Sequence, residues 1–467
     1  MINFHNTYAD LPSEFFDPIK GPNSFKPTLI AFNQDLAHRL GLKFENVSDD
    51  TLAKYFSAAQ FIDGSTPIAM AYAAHQFGHW VPQLGDGRAM LLGEFLAPGG
   101  ERYDVHLKGS GQTKYSRRGD GKSALGPVIR EYIISESMAA LNVPTMRTLC
   151  AVRTHEVVYR ETEKPGAVLT RIGKSHVRVG TFQFFAMSGD VKNLKILADY
   201  TMKRLYPETK NYLEFWRMVA MKQVHLIAQW MSFGFIHGVM NTDNMAISGE
   251  SIDYGPCAFM DEFKFNKVFS SIDREGRYAY SNQPRIALWN LARLAECLLP
   301  LMDSPEEAKT LFENGLGEFN QVFMDTHFKL MSNKLGGVKD QALLKDWLQL
   351  LEVNELDFTL SFIDLERLSE GRKSFTGLED VAGFQHFFEA WQKQKPDLSI
   401  MKIHNPLTIA RNHMVERAIS QSDHGHDEEF FEMVAAVKNP FERKDELSLY
   451  DLPPKIEERV LKTFCGT

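Results

Sequence analysis

FIHGVMNTDNMAISGESIDYG, residues 235–255, sets a histidine, an Asn/Asp-rich turn and a D-Y-G behind an apolar helical run. Ahead of it, Ala220, Val224, Ile227 and Met231 recur at steps of four, three and four, which puts them on one helix face. Within it, Asn244 and Asp253 supply an amide oxygen and a carboxylate, the hard ligands that Mg2+ accepts while phosphate and water complete its shell. A plain turn between a helix and a strand would share this composition. It would leave the coincidence of three separately spaced elements unexplained.

The spacing matches the protein-kinase catalytic loop, H-R-D-x-x-x-x-N, followed by a strand and D-F-G. His237 takes the histidine place, Asn244 falls seven residues on, and Asp253 opens the D-Y-G. One piece is missing. The kinase base would stand at 239, where Val239 can neither accept a proton nor orient a hydroxyl. The only new carboxylate nearby is Asp243. Either the chain binds nucleotide without turning it over, or its base has moved and the reacting phosphorus lies elsewhere.

Working outward toward the N-terminus, Lys108 ends the run Tyr103 to Leu107 and is followed at once by Gly109-Ser110-Gly111. Glu131 falls on a helical stripe with Ile134, Met138 and Leu141. A carboxylate on an apolar stripe needs a partner, and Lys108 is the natural one, as the strand lysine and helix glutamate are in kinases. Solvation of Glu131 at the stripe's edge, or pairing with Arg130 or Lys122, is the alternative. Gly85-Asp86-Gly87-Arg88 allows close approach to a nucleotide, and Arg117 to Lys122 is a basic flexible loop. A P-loop is excluded by Ser116 in the place of its first glycine, and a dinucleotide fingerprint by Lys114. Arg171 and Arg178 could grip phosphate bidentately or form exposed cross-strand pairs. His75 and His79 have i, i+4 spacing but lack the Glu base of a zinc protease helix.

Hairpins are predicted from Ala89–Leu96 with Arg102–Leu107, and from Glu156 to Phe185 around Lys164-Pro165-Gly166, with one helix at Gly126–Leu141 between them. Beyond Lys192 helices dominate, at Arg285–Met302, Pro305–Leu330, Gln341–Glu352, Asp380–Gln394 and Lys455–Phe464. The nearest thing to a linker is the turn-rich stretch around Asp303. The expected division is an N-terminal extension over 1–75 that braces the core, a sheet-rich lobe over 76–190, and a helical lobe with the catalytic segment and tail over 191–467. The fold class is thus α+β, with the two-lobed order of a protein kinase: sheet with one key helix, then helices.

With 467 residues, 44% hydrophobic and 24% charged, the chain has ample material for a multi-lobed core. Cys150, Cys257, Cys297 and Cys465 form no CxxC pair, which argues against a disulfide framework and a zinc module. The start lacks a cationic, then apolar, leader, and nothing approaches about 18 continuous apolar residues. A cytoplasmic protein is expected. A net charge of -8 gives no global pull on nucleic acid or anionic membrane, so neither is an expected partner.

The segments HQFGHWVPQLGDGRAMLLGE (75–94), LKGSGQTKYSRRGDGKSALGPVIREYIISESM (107–138), TRIGKSHVRVGTF (170–182) and HGVMNTDNMAISGESIDYGPCAFMDEF (237–263), with NTYADLPSEFF (6–16), together resemble the selenoprotein O (SelO/YdiU) family over nearly the whole chain. That resemblance implies a kinase-like fold that binds ATP in a flipped orientation. It also implies transfer of AMP, or in some relatives UMP, to Ser, Thr or Tyr hydroxyls of proteins. Carried over by motif, it implies nucleotide contacts from Gly85, Gly87, Arg88, Lys108, Asp120, Gly121, Arg171, Arg178 and Asp253. Asp243 becomes the proton acceptor, Asn244 and Asp253 the ligands of Mg2+ or Mn2+, and Glu131 their support. Many relatives carry selenocysteine third from the C-terminus, where Cys465 stands here. Some bacterial relatives have a further cysteine at the position of Phe269, which weakens the expectation of a regulatory disulfide, although Cys465 could react or pair with Cys257. An inert nucleotide-binding scaffold and an ordinary phosphotransferase are the competing expectations.

Overall fold

The computed structural model describes residues 1–464 and begins with an antiparallel sheet. In chain order come β1 (Phe16–Pro18), β2 (Thr28–Phe32), α1 (Gln34–Arg39), α2 (Asp49–Phe56), β3 (Ile68–Met70), the short hairpin β4 (Ala74–Gln76) and β5 (His79–Val81), and β6 (Ala89–Leu96). Then follow β7 (Arg102–Lys108), β8 (Ser123–Ala124), α3 (Leu125–Ala140), β9 (Arg147–Tyr159) and β10 (Glu163–Gly173). The sheet order is β1-β3-β6-β7-β10-β9-β2, with β8 added to β10. Three strands from the first 75 residues are therefore woven into the sheet rather than laid beside it.

Alternation along β7 decides what each face does. Val105 and Leu107 point to the face covered by α1 and α2, where they join Phe44, Phe56, Leu92 and Val152 in one apolar cluster. Asp104, His106 and Lys108 point the other way. On that face Arg171 of β10 lies opposite His106, and Leu169 opposite Lys108, so cross-strand pairing delivers the polar groups together. Helix α3 crosses this face and is buried almost throughout, Arg130, Glu131 and Glu136 included.

The remainder is largely helical: α4 (Val179–Met187), α5 (Val191–Leu205), α6 (Tyr212–Ser232), the ribbon β11 (Phe235–Ile236) with β12 (Ala258–Phe259), α7 (Gln283–Leu298), α8 (Pro305–Lys334) and α9 (Gln341–Val353). These are followed by α10 (Phe358–Ser369), α11 (Phe384–Lys393), α12 (Leu398–His404), α13 (Asn412–Asp423) and α14 (Glu428–Val437). One core cluster runs from α3 through these helices. Ring contact between Tyr132 and Phe430 at 5.2 Å, and Arg130 on Asn412 at 2.8 Å, tie α3 to the last helices. Among the described residues no helix is long and apolar enough to cross a membrane.

Three expectations need correction. The second hairpin turns at Arg160–Thr162, and Lys164-Pro165-Gly166 lies inside β10 at a bulge between Pro165 and Ala167. Proline is tolerated at a bulge, and Gly166 answers a close approach, since a Cβ there would meet Thr154 Oγ1 at 2.6 Å. Phe185 belongs to α4, not to that hairpin. Lys455–Phe464 forms only one 3-10 turn, Ile456–Glu458. Its apolar residues find no core to bury against, with Ile456 and Leu461 exposed. The strand-like end pairs instead, Thr463 N–H donating to Phe269 O at 2.8 Å.

Candidate functional site

Four charged side chains from four distant segments close on one another where the sheet meets residues 237–255. Lys108 Nζ lies 2.8 Å from Glu131 Oε2 and 2.6 Å from Asp253 Oδ1. Arg171 bridges the same carboxylates, Nη2 donating to Glu131 at 2.8 Å and to Asp253 at 2.7 Å, while its Nε binds the other Glu131 oxygen. Arg130 instead bonds Asn412, the Cys257 carbonyl and Glu416, and Lys122 pairs with Glu156. Burial opposes ionisation of Glu131, but Arg171 and then Lys108 hold its carboxyl below the usual range. At Asp253 burial is likewise outweighed by Lys108, Arg171 and Arg88. Asp253 is held at φ +62°, a left-handed backbone uncommon outside glycine.

Asp243 has the opposite electrostatics. Burial pushes its carboxyl up to about 6, against the pull of Arg178. Its Oδ2 accepts a long bond from Gln76 at 3.4 Å, and its Oδ1 is buried without a partner among the described residues. The loop that carries it is fixed from several sides. His237 bonds the Ile252 carbonyl at 2.9 Å, tying the turn to the D-Y-G segment. Thr242 Oγ1 accepts His75 N–H at 2.8 Å and donates to Gln183 at 2.7 Å. Asn241 Oδ1 accepts Phe77 N–H at 3.0 Å and Tyr278 OH at 2.6 Å. Gly180, at the start of α4, lets the chain entering β4 approach, because any Cβ there would fall on the Ala73 carbonyl.

Both groups line one cleft of about 1080 Å³. Gly85, Gly87, Arg88, Lys108, Asp120, Gly121, Arg171, Arg178, Asp243, Asn244 and Asp253 all face it, with Glu131 buried behind Lys108 and Arg171. A Cβ at Gly85 would fall on the Tyr115 ring, and one at Gly87 would meet the Tyr115 carbonyl at 2.8 Å, so both glycines are needed to seat the 113–122 loop. Asn244 Nδ2 donates to Val239 O at 3.0 Å, which leaves the amide oxygen free to accept. That oxygen and the Asp253 carboxylate, which line the same cleft, are hard-oxygen donors of the kind a divalent cation takes. Among the described residues no cluster of three His, Cys, Asp or Glu side chains could hold a metal alone, so phosphate and water oxygens must complete any shell. Cys465 lies outside the described residues. Its suggested partner Cys257 is fully buried, with burial pushing the thiol up to about 12.

Several residues here were not anticipated individually. Asp86 Oδ2 accepts Met70 N–H and bonds His106 at 3.1 Å, while its Oδ1 lies 3.7 Å from Arg178. The His106 ring stacks on His176 at 4.2 Å, and His176 bonds Asp104 at 2.9 Å, which in turn holds Arg204 at 2.5 Å. Burial pushes the His176 imidazole down to about 3 and lowers that of His106 as well, against the pull of Asp86. The clue was available in β7, where Asp104, His106 and Lys108 place three polar groups on the face opposite Val105 and Leu107.

A family profile described as "Protein adenylyltransferase SelO" matches residues 1–438. The protein nucleotidyltransferase YdiU of Agrobacterium fabrum is 48% identical over the full length of both chains. Those of Rhizobium meliloti and Bacillus mycoides are 47% and 45% identical over all of this chain and 99% and 98% of their own. A cleft lined by a paired lysine and arginine and by a carboxylate whose ionisation is disfavoured thus sits in an enzyme of the protein adenylyltransferase, or nucleotidyltransferase, class. The chain belongs to the SelO/YdiU family.

Proposed function

We propose that the chain has a protein-kinase-like fold and transfers AMP from ATP to Ser, Thr or Tyr hydroxyls of proteins, with UMP from UTP as a variant donor. Asp243 takes the proton as the acceptor oxygen bonds the α-phosphorus. The bond from that phosphorus to the β-phosphate bridging oxygen breaks, and pyrophosphate leaves. Lys108, Arg171, Arg178 and Arg88 hold the far phosphates, and Gly85, Gly87, Asp120 and Gly121 admit the nucleotide. Glu131 keeps Lys108 and Arg171 in place. Asn244 and Asp253 would hold Mg2+ or Mn2+, which supplies charge neutralisation on the phosphates. The fixed cations do the same from the wall, where a water-poor setting makes them effective.

One observation carries this reading: Asp243 joins a buried, unpartnered carboxylate oxygen to a pKa raised to about 6, while Val239 fills the kinase base position. A carboxyl raised to about 6 is a better proton acceptor than an exposed one, yet still ionised near neutral pH. Incubation with α-labelled and γ-labelled ATP tests it. Label retained on protein from the α position alone is the expected result. Label from γ would indicate a kinase, and label from neither an inert binder.

A further inference from the structure

Beside the cleft, on the side of Asp243, lies an aromatic and cationic patch that the nucleotide chemistry does not use. The β4–β5 hairpin is clamped to the catalytic loop through His75 and Phe77 N–H groups. On it the His75 ring lies 5.0 Å from Trp80 and 5.2 Å from Trp289 of α7. Trp289 is flanked by two guanidiniums, Arg277 at 5.0 Å and Arg293 at 4.9 Å from its ring. Arg293 has a carboxylate partner, Glu296 at 2.5 Å. Arg277 has none among the described residues: it lies over the Trp289 and Tyr278 rings, half-buried, with its Nε buried and unbonded.

The segment holding Arg277 is built rather than loose. Asp273 accepts the backbone N–H of Arg277 at 2.9 Å and of Tyr278 at 2.7 Å, and Tyr278 OH reaches Asn241, two residues from Asp243. A partly desolvated guanidinium held against ring faces has donors left over, and a carboxylate is the acceptor whose geometry matches them. The chain's net charge of -8 disfavours a nucleic acid as the occupant. It also removes any long-range pull on an acidic protein, so recognition must come from local contact.

We propose that Arg277, stacked on Trp289, docks an Asp or Glu side chain of the protein substrate, so that preferred acceptors are hydroxyl residues with a carboxylate close by in sequence. This rests on the transfer reading above and names its substrate class. Arg277 acts by positioning the acceptor segment and takes no part in the bond changes.

The test uses the full chain with Mn2+ and α-labelled ATP, and serine- or tyrosine-centred peptides whose flanking residues are Glu, Gln or Lys. Peptide binding is followed in parallel by fluorescence anisotropy. With the native chain the Glu peptide should show a KM about tenfold or more below that of the Gln peptide, the size expected for one charge-assisted pair. Arg277→Gln should shrink that ratio to less than about twofold, and Arg277→Lys should restore part of it. Equal KM values for Glu and Gln peptides on the native chain, or an undiminished ratio in Arg277→Gln, overturn the proposal. So does a single-stranded oligonucleotide that displaces the Glu peptide better than polyglutamate of equal charge. Should the variants fail to fold, the Glu, Gln and Lys series on the native chain decides alone. Acid-selective binding without transferred label leaves the dock standing and sinks AMP transfer. Label without selectivity does the reverse.

Discussion

Arg171 and Arg411 are both buried guanidiniums that bridge two carboxylates, and they differ in what surrounds the bridge. Arg411 binds Asp261 at 2.5 Å, Asp357 at 2.7 Å and the Asp451 carbonyl at 2.9 Å. One cation there serves two acids, and burial pushes the Asp261 carboxyl up to about 6 against the pull of Arg411, with Asp357 adding to the rise. At Arg171 a second cation, Lys108, balances Glu131 and Asp253, and both acids stay below their usual range. The Asp253 side chain is 30% exposed to the cleft, whereas Asp261 and Asp357 are 14% and 8% exposed. The acid-rich knot closes on itself and fastens β12, α10 and α13. The balanced one faces the cleft that Arg88 and Arg178 also line, and of the carboxylates there Asp243 is the one whose ionisation is disfavoured.

The largest expected effect breaks the cleft without touching the knot. Asp243→Asn should lower AMP transfer by about 10²–10⁴-fold, the range for loss of a general base, with a far smaller change in ATP affinity by calorimetry. A variant that transfers AMP at the native rate would remove Asp243 from the mechanism. Next comes the converse. Arg411→Met leaves two facing acids uncompensated and should destabilise the fold by about 3–5 kcal/mol in urea unfolding. The sign of its pH dependence follows from Asp261. A carboxyl whose folded pKa is raised favours the fold below its unfolded value of 3.8 and loses that advantage as pH climbs through about 6. Without Arg411 the rise is larger, so the deficit should grow from pH 5 to pH 8. A deficit independent of pH would mean the two acids share no charge with Arg411.

A third buried cation, Lys334 at the end of α8, has no acid partner among the described residues and rests on aromatic faces, 4.3 Å from the Phe362 ring. Burial, with Arg443 nearby, lowers its ammonium to about 7. Between that value and 10.5 the unfolded chain binds the extra proton, so the fold gains stability as pH rises across this window. Lys334→Met should therefore stabilise the protein at pH 6, by an amount on the order of 1–4 kcal/mol, and the gain should fade toward pH 10. Thermal melts at the two pH values check it. A constant gain would assign the effect to packing alone.

The contrast between these regions also explains what the sequence could and could not show. The placement of His237, Asn244 and Asp253 was legible because it follows from spacing within one short segment, and that of Glu131 because helical period put a carboxylate among Ile134, Met138 and Leu141. The Arg411 knot joins residues 261, 357, 411 and 451, and nothing local marks any of them as a partner of the others. The same holds for Asp86, His106, His176 and Arg204, although alternation along β7 pointed to two polar neighbours of Lys108. Pro165-Gly166 looked like a turn because the contact that requires that glycine, Thr154, is on another strand. The final residues had helical spacing, but no apolar surface was left for that helix to cover.

At the rim of the cleft the smallest effect should appear. Arg160 pairs with Asp120 at 2.9 and 3.2 Å and bonds the Lys122 carbonyl at 3.0 Å, holding the 117–122 loop against the β9–β10 turn. Asp120 is held below its usual range by Arg160 and the Lys122 N–H despite some burial. Both side chains are partly open to water, so the pair contributes less than about 1 kcal/mol to stability. Its weight falls on the loop instead. Arg160→Gln should raise the KM for ATP roughly two- to fivefold by letting Asp120 and Gly121 move, with a melting temperature close to native. Because an exposed pair is screened by salt, the gap between native and variant KM should narrow at high ionic strength. An equal gap at all salt concentrations would indicate that Arg160 acts on the nucleotide itself rather than through Asp120.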